Sequence, residues 1–274
     1  MTKNLLDFVV GSLAFWAVGF AIIMGTDWNG LIGTDQLPRW RRLRRTPFCP
    51  YCEEPRPTWA WVSTLAYLRF KPQCQHCSAP ISWRHPLVEL GTAVLFAFLW
   101  ARYGHEDQTA FLIPYTIYSS IFVLVLVIDL EHKLILNVVI YPAWILALLG
   151  SLLHPDPHFY RLALIGGAVG FGLLFLIYLL GELFIRVMSK VRGKPIHAVA
   201  FGFGDVRLGG FIGFVLGFPL VLNAIFVAIL LGGLGGLIYW FVSAVILRRY
   251  SLFTAIPYGP FLVIGALVFM FFGS

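Results

Sequence analysis

Charge is what this chain has least of. Of its 274 residues only 20 are lysine or arginine and 13 aspartate or glutamate. The charged share is 12%, where a soluble domain usually carries about 25%. So thin a charged surface could not cover a domain of this length against water, which excludes the ordinary soluble classes. No stretch is of low complexity, and no repeat recurs at a fixed period, so a repeat architecture is not expected. The first apolar run, Leu5–Met24, has one nearby cation, Lys3, and lacks a small-x-small cleavage pattern before Gly25-Thr26-Asp27. It reads as a retained anchor and not as a cleaved signal.

What the chain has in abundance is apolar length. Hydrophobic residues make up 59% and the mean hydropathy is +0.83, and the apolar runs approach the roughly 20 residues a helix needs to cross a bilayer. The 25 Phe, 11 Tyr and 9 Trp suit segments whose aromatic ends rest at the lipid interface. The expected fold is therefore an all-α polytopic membrane protein of about eight transmembrane helices, at roughly 5–24, 86–102, 110–128, 134–153, 162–185, 206–220, 222–246 and 253–272. The organisation divides into a first anchor (1–26), a polar loop (27–85) and a membrane-embedded core (86–274).

The distribution of cations orients these spans. If 27–85 is cytoplasmic, the loops at 129–133, 186–205 and 248–252 are cytoplasmic as well, and together with Arg207 they hold 17 of the 20 lysines and arginines. The opposite loops, 104–108 and 154–158, are acidic or neutral. The positive-inside rule places the large loop inside and both termini outside. A net charge of +7 then needs no nucleic acid. Arg39, Arg41, Arg42, Arg44 and Arg45 sit where they hold the loop in the cytosol and rest on anionic headgroups, with an acidic partner as the other reading.

Four cysteines stand in that loop as two CxxC pairs, Cys49-Pro-Tyr-Cys52 and Cys74-Gln-His-Cys77. Each pair sets two thiolates on one side of a tight turn, and two such knuckles can wrap one zinc ion tetrahedrally. Disulfides fit poorly with a reducing cytoplasmic face, and no βαβ pattern accompanies either pair to suggest redox chemistry. A structural zinc site formed by Cys49, Cys52, Cys74 and Cys77 is the expectation. His76 is left out because four thiolates already close the shell.

Acids at membrane depth are expensive and mark function by default. Asp7, Glu89 and Glu182 fall near span ends, where water or an arginine can serve them. Asp129 closes the third expected span and Asp205 opens the sixth, so both fall at the cytoplasmic edge. Two close carboxylates share a proton because both cannot ionise. One can then act as base on water while its protonated partner polarises a carbonyl, the chemistry of aspartic proteases. Gly202 and Gly204 beside Asp205 allow close backbone approach, by a substrate strand or by a neighbouring helix; Gly209, Gly210, Gly213 and Gly217 suit helix packing.

The segment Gly202-Phe-Gly204-Asp205 with Arg207-Leu208 resembles the GxGD motif of the type IV prepilin peptidases. Asp129 with Leu-Glu-His-Lys-Leu-Ile resembles the first aspartate motif of that family. The tetracysteine loop, the stretch Ile81–Glu89 and Ile256-Pro257-Tyr258-Gly259-Pro260-Phe261 match further signatures in order along 49–261. The resemblance implies a bacterial inner-membrane peptidase with Asp129 and Asp205 as its catalytic pair. Its substrates would be prepilins or pseudopilins, cut after a glycine on the cytoplasmic side. It also implies, for many members, N-methylation of the new terminus with S-adenosylmethionine. Asn137 and Arg207, with Gly202 and Gly204, become candidate substrate contacts. Leu136 stands where the family commonly has proline, Val199 where glutamate is common and Arg207 where lysine is usual, and the stretch Ile23–Gly30 differs from the family pattern; the last difference leaves methylation open. The alternatives are a transporter, whose acids would form a proton relay, and a non-catalytic pilus or secretion assembly factor with a zinc loop.

Overall fold

The computed structural model describes residues 83–105, 108–192, 201–246 and 257–273, together with Cys52, Thr64, Tyr67, Gln73, Cys74 and 76–80. The expected first span, the arginine run 39–45, Asp7, Cys49 and Val199 lie outside the described residues. All seven described helices of more than one turn are α-helical: α1 Arg84–Tyr103, α2 Thr109–His132, α3 Asn137–Leu152, α4 Phe159–Arg192, α5 Phe203–Leu216, α6 Leu220–Phe241 and α7 Gly259–Phe272. A π-helical turn, Val242–Ile246, continues α6. Among the described residues the one β contact is an isolated bridge between Gln73 and Pro80. The chain forms two compact units that divide between Leu112 and Ile113.

Among the described residues, four helices are long and apolar enough to cross a bilayer: Pro86–Tyr103, Ala110–His132, Phe159–Val191 and Leu220–Ala244, the last made of α6 and the start of the π-helical turn. The chain is thus an integral membrane protein. α3 and α7 are apolar but shorter. Helix edges differ from the sequence expectation in instructive places. α4 has 34 residues, about 51 Å at 1.5 Å per residue, against about 30 Å of hydrocarbon. It continues past the expected end at 185 because its last turns are polar and self-paired, with Arg186 reaching Glu182 at 3.8 Å one turn back. α5 has only 14 residues, about 21 Å, too short to span the hydrocarbon by itself. It also starts at Phe203, ahead of the expected 206, so Asp205 lies inside its first turn.

α5 is the centre of the second unit. It packs against α3, α4, α6 and α7, and most of its residues are buried. Phe211 meets Phe122 and Tyr118 of α2 at ring distances of 5.0 and 6.2 Å. Glycine makes the tightest of these contacts possible. A Cβ at Gly213 would fall 2.0 Å from the Gly166 carbonyl oxygen, and one at Gly170 would fall 2.3 Å from that of Gly209. α4 and α5 therefore touch backbone to backbone, the small-residue packing that replaces the hydrophobic drive inside lipid. Trp144 of α3 lies over Gly210, and its indole Nε1–H donates to the Arg207 carbonyl at 3.1 Å. Gly217, at φ 69°, lets the chain leave α5 in a left-handed conformation that a side chain would disfavour.

Candidate active site

Asp129 and Asp205 are positioned by helix ends. Asp129 stands in the last turn of α2, whose C-terminus is closed by Lys133 at φ 53°, with the Lys133 N–H donating to the Asp129 carbonyl at 2.9 Å. A non-glycine residue in this region costs about 1–2 kcal/mol, so the surrounding packing holds the turn in place. Asp205 is the third residue of α5, after the extended N-cap Gly202, and its N–H donates to the Gly202 carbonyl at 3.1 Å. Tertiary packing brings the two aspartates close enough for the charge of one to act on the other. Both are buried, at 5% and 8% exposure.

The second contributor is the start of α7. The Gly259 N–H donates to Asp129 Oδ2 at 3.0 Å, and Tyr258 is near enough to feel the Asp205 carboxylate. Lys133 places its positive charge within reach of Asp129. The Tyr258 ring also meets Phe201, just before the Gly202 cap, at 5.4 Å. Two carboxylates, a backbone donor and a phenol thus converge from three chain segments, a set suited to general acid–base work on a peptide carbonyl.

The two glycines before Asp205 pack against side chains. A Cβ at Gly204 would lie 2.9 Å from Cβ of Ile135, and one at Gly202 would lie 3.1 Å from Oδ2 of Asp205 itself. Asn137 and Arg207 face one another: the Arg207 guanidinium donates to Asn137 Oδ1. The guanidinium also lies over the rings of Phe203 at 4.6 Å and Tyr141 at 5.7 Å, a planar cation stacked as lysine could not be. Glu89, expected near a span end, is buried on α1 and accepts the Thr64 N–H at 2.9 Å.

In the first unit, Cys52, Cys74 and Cys77 gather with all three sulfurs within 4.8 Å of one another; Cys49 is outside the described residues. The second knuckle is a tight turn in which Cys74 N–H donates to Ala79 O at 2.8 Å and Ser78 N–H to Cys74 O at 3.0 Å. Cys52 and Cys74 sulfurs are 3.9 Å apart. That is nearly twice a disulfide bond and close to the roughly 3.8 Å edge of a tetrahedron with 2.3 Å metal–sulfur bonds. The donor set fits a thiolate-bound metal ion.

The Ile256–Phe261 signature, and Lys133 within the first aspartate motif, are visible in the sequence but carry no assigned role there. Gly259 followed by Pro260 at the head of an apolar run is a readable helix start. Its contact with a carboxylate 130 positions away is not.

An all-helical integral membrane protein with two buried aspartates at helix ends belongs, by site and fold together, among proteins that handle charge or cut peptides at the bilayer. Comparison with known families decides the matter. The model described as the type IV leader peptidase family matches residues 116–237, and that of the bacterial peptidase A24 N-terminal domain matches 22–103. A protein of Legionella pneumophila named prepilin leader peptidase/N-methyltransferase is 30% identical over 83% of this chain and 72% of its own length. Proteins of the same name from Bacillus subtilis (28% identical, 82% of this chain and 81% of the other) and Pseudomonas putida (29%, 82% and 72%) are similar as well. No solved structure matches the chain. This chain belongs to the type IV leader peptidase family, and it is a protease.

Proposed function

We propose that the protein removes the leader of prepilins or pseudopilins with Asp129 and Asp205 as its catalytic pair, cutting after a glycine at the cytoplasmic edge of the inner membrane. The observation that carries this reading is the convergence of the two buried carboxylates from the ends of α2 and α5 in a chain of this family. One aspartate, ionised, takes a proton from water as the water oxygen bonds to the scissile carbonyl carbon. The carbonyl electron pair moves to its oxygen, which takes the proton of the other aspartate. As the tetrahedral intermediate collapses, the C–N bond breaks and the nitrogen takes the proton held by the first carboxyl. A gem-diol hydroxyl returns a proton to the second. The pair ends as it began, and no cofactor enters the peptide cleavage.

Gly202, Gly204, Asn137 and Arg207 form the proposed substrate contacts: Gly202 lies against the Asp205 carboxylate, and Arg207, two residues beyond Asp205, donates to Asn137. About eight spans, with the 27–85 loop and the active site facing the cytoplasm, agree with the distribution of 17 of the 20 lysines and arginines. On this division 1–26 is an anchor, 27–85 the zinc-bearing loop and 86–274 the peptidase core. The arginines at 39–45 rest on anionic headgroups, and nucleic acid is not a partner. Cys49, Cys52, Cys74 and Cys77 would hold a structural zinc ion, which organises the loop without an open coordination position for chemistry. Because the similar proteins are named for a methyltransferase as well, N-methylation with S-adenosylmethionine is the proposed second activity.

The test is cleavage of a prepilin in liposomes by the wild type, Asp129→Asn and Asp205→Asn, with product masses read with and without S-adenosylmethionine. Loss of leader removal in both folded variants is the expected result; an added methyl mass reports the second activity. A transporter or scaffold tolerates either substitution, so cleavage by both variants sinks the two-aspartate reading.

A further inference from the structure

The start of α7 does more than end a loop. Gly259 is its first residue, and its N–H meets Asp129 Oδ2 at 3.0 Å. A Cβ added there would fall 2.6 Å from that oxygen and 3.0 Å from Asp129 Cγ, so any side chain at 259 collides with the carboxylate as it stands. Two glycine notches hold the start of α7 in place. The Tyr258 ring fills the space a Cβ of Gly232 would need, at 2.5 Å, and the Phe261 ring fills that of Gly235, at 2.6 Å. Further along α7, Gly265 lies against the Ala224 carbonyl, 2.4 Å from where its Cβ would be. Both notches belong to α6, which carries no catalytic group, yet they fix where the Gly259 donor points.

We propose that Gly259 is a positioning residue for the cleavage reaction: its N–H holds Oδ2 of Asp129 and leaves Oδ1 to take the proton of the attacking water. This inference rests on the two-aspartate reading. The Asp205 carboxylate lies instead against Gly202, where an added Cβ would stand 3.1 Å from Oδ2, so the two carboxylates meet different backbone segments. A carboxylate held in this way needs no reorganisation at the moment of attack. Its displacement by about 1 Å costs on the order of 100-fold in rate.

The experiment measures kcat, KM and Tm of prepilin cleavage in detergent for Gly259→Ala, Gly232→Ala and Gly265→Ala. Gly259→Ala is expected to lose about 100-fold in kcat with KM within about twofold and little change in Tm. Gly232→Ala crowds Tyr258 and shifts the start of α7 without touching Asp129; it loses about tenfold in kcat, again without a matching KM change. Gly265→Ala lowers Tm while the folded fraction keeps its kcat. Wild-type kcat in Gly259→Ala, or a loss that tracks Tm as in Gly265→Ala, overturns the proposal. If Gly259→Ala does not fold, wild-type kcat in Gly232→Ala overturns it instead. The Asp→Asn variants separate the two levels. Cleavage by them removes the two-aspartate reading and this one together, whereas dead Asp→Asn variants beside a fully active Gly259→Ala remove only the role of Gly259.

Discussion

Alanine at two glycines, one packed and one open, should move stability in opposite directions. At Gly213 the new Cβ would stand 2.0 Å from the Gly166 oxygen and 2.4 Å from the Gly166 carbonyl carbon, where ordinary contact begins at 3.4 Å. The obstacles are backbone atoms, which have no rotamer to escape into, so α4 and α5 must part by about 1 Å. A gap of 0.5–1 Å already forfeits roughly a quarter to a half of each dispersion contact along the seam. Overpacking of this kind costs about 1–3 kcal/mol, more than the roughly 1 kcal/mol or less that alanine gains over glycine in helix propensity. At Gly172, on the same helix α4, nothing lies within 4 Å of the added carbon, so only the propensity gain remains. Thermal unfolding in one detergent should show Gly213→Ala melting about 3–10 °C below the wild type and Gly172→Ala at or slightly above it. Because α5 carries Asp205, cleavage by Gly213→Ala should fall as well. Equal melting of the two variants would refute the claim that backbone contact between α4 and α5 holds the second unit together.

Two further perturbations probe the rim of the site and the cysteine loop. Arg207→Lys keeps the charge but loses the stacking over Phe203 and the planar donor to Asn137; a loss of about 1 kcal/mol should raise KM several-fold in a prepilin titration, and an unchanged KM removes Arg207 from the substrate contacts. Purified protein should carry one bound zinc that Cys74→Ser lacks, with maleimide labelling of the remaining thiols becoming fast only after chelation. Metal-free wild type whose thiols label at once counts against the zinc site.

The sequence alone determined the class, because hydropathy and charge scarcity are properties of composition and need no packing to act. It also placed Asp129 and Asp205 at helix ends, since an acid at the border of an apolar run has few other places to go. Of the four cysteines that spacing singled out, the structure gathers Cys52, Cys74 and Cys77; the pairing within a CxxC turn is local and so legible. Tertiary structure decided what depends on approach between distant segments. Glycine spacing left helix packing and substrate approach equally open; contact with Gly166 and Gly170 assigns Gly209 and Gly213 to packing, whereas Gly204 and Gly202 lie against Ile135 and the Asp205 carboxylate. The short length of α5 was hidden because its neighbours, rather than its own apolar run, supply its burial. The Gly259 donor was hidden for the same reason: a backbone N–H has no sequence signature, and only folding decides which carboxylate it meets.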